Sequence, residues 1–103
     1  MKTKEEIKSA LVAALAVPYV RARASGCGRA YVCVSGLERT ELTAFAAAAK
    51  ELGRIFQRKG HGVSNALYVG YDNADGGALG KAEAIATELS KRGISAYAEG
   101  VAD

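Results

Sequence analysis

The chain has 103 residues, of which 50% are hydrophobic and 24% charged, and its formal net charge is +3. This length fits one domain with a modest core, and no apolar run is long enough to predict a membrane-spanning helix. One histidine and two cysteines, Cys27 and Cys33, form no recognisable zinc-ligand pattern, so we expect free thiols and a cytoplasmic protein that needs no cofactor to fold.

Positive charge is concentrated in the first part of the chain. Residues 1–61 carry eleven Lys/Arg against five Asp/Glu, whereas residues 62–103 carry three against six. A basic half is typical of proteins that bind anions or nucleic acid. The alternative is a solvated surface of mixed charge.

Residues 1–17 are predicted to form an amphipathic helix. Thr3 and Glu6 have the spacing of a capping box, Ile7 and Leu11 recur at helical spacing, and Pro18 ends the helix. The apolar stripe would pack on the sheet, on a protein partner or on another copy of the chain. A protein-interaction module, or an inhibitor of a larger complex, is therefore one functional hypothesis.

Residues 19–35 are predicted to form a β-hairpin, because residues 19–24 and 29–35 alternate across a glycine-rich turn. Five basic or aromatic residues would share one face of this hairpin: Tyr19, Arg21, Arg23, Arg29 and Tyr31. Arginines contact phosphates and tyrosines stack on bases, so this face is the predicted DNA- or RNA-binding surface. An ordinary solvent-exposed strand surface is the alternative.

The remaining residues, 36–100, are predicted to form two βαβ crossover units. A helix over residues 40–59, a strand over 66–71, a helix over 77–92 and a strand over 94–99 follow the hairpin. The order α-β-β-α-β-α-β, in a single domain of residues 1–103, favours an α/β fold with a mostly parallel four-stranded sheet and helices on both faces. A ferredoxin-like α+β sandwich is the alternative.

The loop between the third strand and the last helix combines carboxylates with glycines. Asp72 and Asp75 would hold a divalent cation such as Mg²⁺, with Glu38 as a third ligand. Gly76, Gly77 and Lys81 would cradle a phosphate at the helix N-terminus, although the Walker spacing is incomplete. A plain strand-to-helix turn, in which the glycines supply the backbone conformations, explains the same residues.

Residues 66–99 resemble the second half of a toprim domain, as found in primases, topoisomerases and related nucleases. An apolar strand ends in Asp72 and Asn73, and Asp75, an alanine-rich helix and a final strand follow. The resemblance implies that Asp72, Asp75 and Glu38 bind Mg²⁺ and support phosphotransfer or nuclease activity. Asp75 stands one position beyond the usual second aspartate, because Ala74 occupies that place.

Three functional hypotheses follow, and the first is a small nucleic-acid-binding or accessory protein that uses the basic Tyr/Arg hairpin face. The second is a toprim-like, metal-dependent enzyme. The third is a protein-interaction module whose N-terminal helix would bind a protein partner or another copy of the chain. No activated nucleophile or paired general base is recognisable in the sequence. Binding is therefore favoured over catalysis.

Overall fold

The computed structural model describes residues 2–22, 27–58, 65–73 and 76–102. Three helices and four strands alternate along this part of the chain: α1 (Lys4–Leu15), β1 (Cys27–Val34), α2 (Arg39–Glu51), β2 (Phe56–Gln57), β3 (Ala66–Asn73), α3 (Gly77–Lys91) and β4 (Ala96–Ala102). Among the described residues, no helix is both long enough and apolar enough to cross a membrane.

The four strands form one antiparallel sheet with the order β2-β3-β1-β4. The predicted mostly parallel sheet is therefore wrong. From β1 onward the element order is β-α-β-β-α-β, which is the order of the ferredoxin-like arrangement, and α1 precedes it. In this topology β1 lies between β3 and β4, so each helical connection joins two strands that are not neighbours.

The physical reason for the antiparallel sheet lies at the end of α2. The sequence predicts one helix over residues 40–59, but α2 ends at Glu51. Just beyond it, Gly53 adopts a left-handed φ of 73°, and Arg54 N donates to Ala49 O at 2.8 Å. This is a Schellman ending. It releases Phe56–Gln57 as the short strand β2. The chain reverses between β2 and β3, so β3 runs opposite to β1.

The predicted hairpin of residues 19–35 is not observed. Residues 19–22 are outside any strand, and residues 23–26 lie outside the described residues. β1 is paired with β3 on one side and with β4 on the other, over nearly its whole length. Both of its hydrogen-bonding edges are therefore occupied, and no edge remains for a hairpin partner.

All three helices contribute to one core on a single face of the sheet, so the prediction of helices on both faces is also wrong. α3 contacts β1, β3 and β4, while α1 packs against α2 and α3. Fully buried side chains from each layer meet there, including Leu11, Phe45, Leu67 and Ile85. The rings of Phe45 and Phe56 lie 5.0 Å apart and join α2 to β2.

The apolar stripe of α1 is buried within this core rather than left for a partner. Ile7, Leu11 and Ala14 are completely buried. The predicted capping box is present, because Thr3 Oγ1 accepts from Glu6 N at 3.2 Å and Glu6 Oε1 accepts from Thr3 N at 2.9 Å. A partner or second copy that binds this stripe would therefore have to displace the protein's own helices.

Candidate nucleic-acid interface

The sheet face opposite the three described helices is the candidate site, and we call it the helix-free face. On β1, the core residues Ala30, Val32 and Val34 alternate with residues that point to the helix-free face. The strand register extends this face across the sheet to Arg29, Tyr31, Cys33, Gln57, Ala66, Tyr68, Tyr71, Tyr97, Glu99 and Val101. Four of the protein's five tyrosines are among them.

Two of these tyrosines stand side by side on the central strands. Tyr31 on β1 is paired with Tyr68 on β3, and their ring centroids lie 5.6 Å apart in an edge-to-face arrangement. Tyr31 is only 4% exposed, so it is held in the sheet surface by its neighbours. This pair forms a rigid aromatic centre for the face.

The tyrosines that solvent reaches flank this centre. Tyr71 on β3 is 47% exposed and is the cross-strand neighbour of Arg29, which is also exposed. Tyr97 on β4 is 56% exposed and is the cross-strand neighbour of Cys33. The helix-free face therefore presents two accessible rings and one guanidinium group beside a buried aromatic pair.

A β-bulge makes this grouping on β3 possible. The register of β3 against β1 shifts between Ala30 and Tyr31, so Tyr68 and Tyr71 both pair with residues of the helix-free face although they are three positions apart. Simple alternation would place residues three apart on opposite faces. The bulge changes the side of the sheet to which the following residues of β3 point.

Cys33 is buried beneath Tyr97 and Glu99 on this face. Its thiol donates to Glu99 Oε2 at 3.3 Å. Burial, followed by the hydrogen bond and charge of Glu99, raises the pKa of Cys33 from 9.0 to about 11. The thiol therefore stays protonated at neutral pH, and it is an unreactive structural cysteine rather than a nucleophile.

The predicted basic Tyr/Arg surface is divided between two sides of the molecule. Arg29 and Tyr31 lie on the helix-free face. Tyr19 and Arg21 lie beside α3, on the side of the sheet that the helices cover, and Lys81 Nζ lies 6.0 Å from the centroid of the Tyr19 ring. Arg23 lies outside the described residues. The described members of the predicted surface therefore do not form one site.

Gly76 of the predicted phosphate loop has a packing role, and Gly80 within α3 shares it. The backbone of residues 20–22 crosses α3 so closely that a Cβ on Gly80 would overlap the carbonyl oxygen of Val20, and one on Gly76 would overlap that of Ala22. Ala22 N also donates to Gly76 O at 2.8 Å. Gly77 begins α3, and Lys81 points towards Tyr19. This packing accounts for both Gly76 and Gly80 without a phosphate.

Two residues of the predicted metal site, Asp72 and Glu38, lie at opposite ends of β1. Asp72 is paired with Gly28 at the beginning of β1, whereas Glu38 follows Val34 at its other end and caps α2. A strand rises ~3.3 Å per residue, so Gly28 and Val34 lie about 20 Å apart. Ligands of one Mg²⁺ ion must lie within a few ångströms of one another. Glu38 therefore does not belong to a site at Asp72.

The rest of the metal prediction stays a prediction. Asp75 lies outside the described residues. Within the described ranges, no group of three or more His, Cys, Asp or Glu side chains is placed to hold a metal ion. The resemblance of residues 66–99 to a toprim domain likewise stays a prediction.

Sequence reasoning did not select Tyr68, Tyr71 and Tyr97 as site residues. Tyr97 and Glu99 alternate with Ala96 and Ala98, which is a signal for one shared strand face. Tyr68 and Tyr71 carry no such signal, since their common face depends on the bulge. No family model matches the chain, and comparisons with curated proteins and with solved structures give no match either.

Proposed function

We propose that this protein binds single-stranded nucleic acid on its helix-free face. The observation that supports the proposal is the set of tyrosines across an antiparallel four-stranded sheet, with Tyr71 and Tyr97 accessible on either side of the Tyr31–Tyr68 pair. One common kind of RNA-binding module is a four-stranded sheet whose aromatic residues stack two or three bases of a single strand.

The proposed contacts divide into stacking and charge. Tyr71 and Tyr97 would each stack on one unpaired base, and Arg29, beside Tyr71, would contact the adjoining phosphate. Bases in a duplex are stacked on each other and cannot reach these rings, so single strands are the preferred ligand. Among the described residues of this face, Arg29 supplies one positive charge and Glu99 one negative charge, so affinity should depend only modestly on salt.

The first test replaces the accessible tyrosines. Tyr71→Ala or Tyr97→Ala should each weaken binding of a labelled single-stranded oligonucleotide by about tenfold, because stacking contributes roughly 1–3 kcal/mol per base. Fluorescence anisotropy with DNA and RNA oligonucleotides measures the change. Tyr71→Phe keeps the ring and should retain most of the affinity.

The molecule offers matched controls on its other side. Tyr19 is 49% exposed, as accessible as Tyr71, but it lies beside α3, so Tyr19→Ala should leave affinity unchanged. In the same way Arg29→Ala should weaken binding and flatten its salt dependence, whereas Arg21→Ala should do neither. Unchanged affinity for the Tyr71 and Tyr97 variants, with loss in the Tyr19 and Arg21 variants, would refute the proposal.

A further inference from the structure

We infer that two copies of this chain associate through the outer edge of β4, forming one continuous antiparallel sheet across a two-fold axis. β4 is the last strand of the sheet, and among the described strands only β1 pairs with it. An edge strand presents unpaired backbone groups to another chain. This inference is independent of nucleic-acid binding.

The hydrogen bonds of β4 show which backbone groups point outward. Ser35 N donates to Ser95 O at 3.0 Å, and β1 and β4 pair in register from there. In an antiparallel ladder the bonded pairs alternate, so odd-numbered residues of β4 bond to β1 and even-numbered ones face outward. Ala96 O confirms this parity, since it accepts from Ser90 Oγ of α3 at 3.2 Å. Ala98 and Gly100 therefore direct their N–H and C=O groups outward.

β4 also lacks the features that protect an edge strand. Its sequence, AYAEGVA, has no proline or lysine, and its one charged residue is Glu99. The Glu99 side chain is turned to Cys33 on the neighbouring strand, so it does not shield the edge. Edges of this kind are open to pairing with another strand.

Charge disfavours one of the registers that two antiparallel copies of β4 could adopt. A two-fold axis at Ala98 pairs its outward groups with those of the same residue in the partner and places Tyr97 beside Glu99 of the partner subunit. An axis at Glu99 would instead place the two Glu99 carboxylates directly opposite each other, which is unfavourable. We assign the axis at Ala98, because it avoids this repulsion and because the charges on α3 are arranged about the same position.

α3 carries a stripe of residues that fits the same axis. Glu83, Thr87 and Lys91 lie at positions i, i+4 and i+8, and all three line a groove of about 610 Å³ beside Ala96 and Ala98. Thr87 is midway between Glu83 and Lys91, so a two-fold axis near Thr87 brings Glu83 opposite Lys91 of the partner subunit, and Lys91 opposite the partner's Glu83.

Because the charges on α3 complement those of an identical chain, we infer that the edge of β4 pairs with a second copy rather than with an unrelated strand. Ser90, one turn from Thr87, contacts Ala96, so Thr87 lies at nearly the same level along the sheet as Ala98. A single two-fold axis is therefore compatible both with the pairing of the two β4 strands and with the two ion pairs between Glu83 and Lys91. Self-complementarity of this kind is the requirement of a two-fold interface.

The first experiment removes the outward amide of the strand. Ala98→Pro deletes an N–H that does not bond to β1, and proline is tolerated at strand edges. The wild-type chain should sediment as a dimer at micromolar to high-micromolar concentration, and the variant as a monomer with an unchanged circular dichroism spectrum. A wild-type chain that stays monomeric throughout this range would overturn the inference.

The second experiment tests the register by charge reversal and does not depend on tolerance of proline. Glu83→Lys should raise the dimer dissociation constant at least about tenfold, because each two-fold interface contains the substitution twice. Adding Lys91→Glu to it should restore dimerisation. Glu5→Lys, the same charge change on the exposed side of α1, should have no effect. Failure of the double variant to recover would contradict the assigned axis.

Discussion

Glycines illustrate how one residue type serves different roles at the scale of single residues. Gly53 ends α2 because its positive φ allows the Schellman turn. Gly80 has an ordinary helical conformation, and its lack of a side chain instead lets the backbone of residues 20–22 cross α3. The sequence alone predicts a phosphate site at Gly76, Gly77 and Lys81, because close backbone approach and phosphate binding both favour glycine.

The packing of Gly80 predicts a change in stability opposite to the one that helix propensity alone would give. Replacing an interior helical glycine with alanine ordinarily stabilises a protein by up to about 1 kcal/mol. Gly80→Ala should instead lower the free energy of unfolding by roughly 1–3 kcal/mol, because its methyl group would push residues 20–22 away from α3. Urea denaturation measures the difference.

Gly70→Ala is the matched control for this substitution. A Cβ at Gly70 would lie 3.7 Å from Ala78 Cβ, an ordinary contact distance. Its effect on stability should therefore be much smaller than that of Gly80→Ala. A stabilised Gly80→Ala protein would mean that residues 20–22 do not pack on α3.

At the scale of elements, the carboxylate of Glu41 at the N-terminus of α2 links this helix to the segment before α1. Glu41, in the first turn of α2, accepts from the backbone N–H groups of Lys2 and Glu38, both at 2.9 Å. Glu41 therefore accepts a backbone N–H at the N-terminus of α2, and it also ties Lys2, which precedes the N-cap of α1, to α2. The hydrogen bonds from Lys2, then from Glu38, lower the pKa of Glu41 below 4.5.

This lowered pKa predicts a loss of stability in acid. Because the folded-state pKa is the lower one, the contribution of Glu41 is present above the unfolded pKa of 4.5 and is lost as pH falls through the folded value. Glu41→Gln should therefore destabilise the protein at neutral pH, and its difference from the wild type should shrink well below pH 4.5. Urea denaturation at both pH values provides the measurement.

Glu5→Gln is the control for this prediction, since Glu5 lies on the exposed side of α1. The free energy of unfolding of this variant should equal that of the wild type at both pH values. A Glu41→Gln difference that is equally large in acid would show that lost packing, rather than the carboxylate charge, causes the destabilisation.

At the scale of the whole molecule, the strands of the sheet differ in how many neighbours they have: β1 lies between two strands, and β4 is at an edge. β1 is bonded on both sides, whereas the backbone groups of Ala98 and Gly100 on β4 point away from the other described strands. If two copies pair at this edge, their helix-free faces join into one surface. On the proposed function, a longer single strand would contact both copies, and the linked sites would bind it more tightly than either site alone.

Amide hydrogen exchange tests this division of the sheet. The amides of Val32 and its neighbours in β1 should exchange slowly at every protein concentration, because opening them requires unfolding of the sheet. The amides of Ala98 and Gly100 should become protected only as concentration rises and the dimer forms. Nuclear magnetic resonance resolves both groups, and protection of Ala98 that is independent of concentration would contradict the dimer.

Local pattern determined much of the secondary structure. The capping box and Pro18 define α1, the apolar runs locate β1 and β3, and Gly93 ends α3, because each of these signals acts through near neighbours in the chain. Only tertiary structure decided the pairing. β2 has two residues and too few side chains for a periodic signal, yet it reverses β3 and makes the sheet antiparallel.

The candidate site also depends partly on local sequence pattern and partly on tertiary structure. The sequence placed Arg29 and Tyr31 on one strand face by simple alternation, a local rule that the structure keeps. It could not separate Tyr19 and Arg21 from them, nor add Tyr71 and Tyr97, since those positions depend on strand order, a bulge and a crossing over α3. Contacts between residues distant in the chain carry no local periodicity, so only the folded chain determines which residues share a surface.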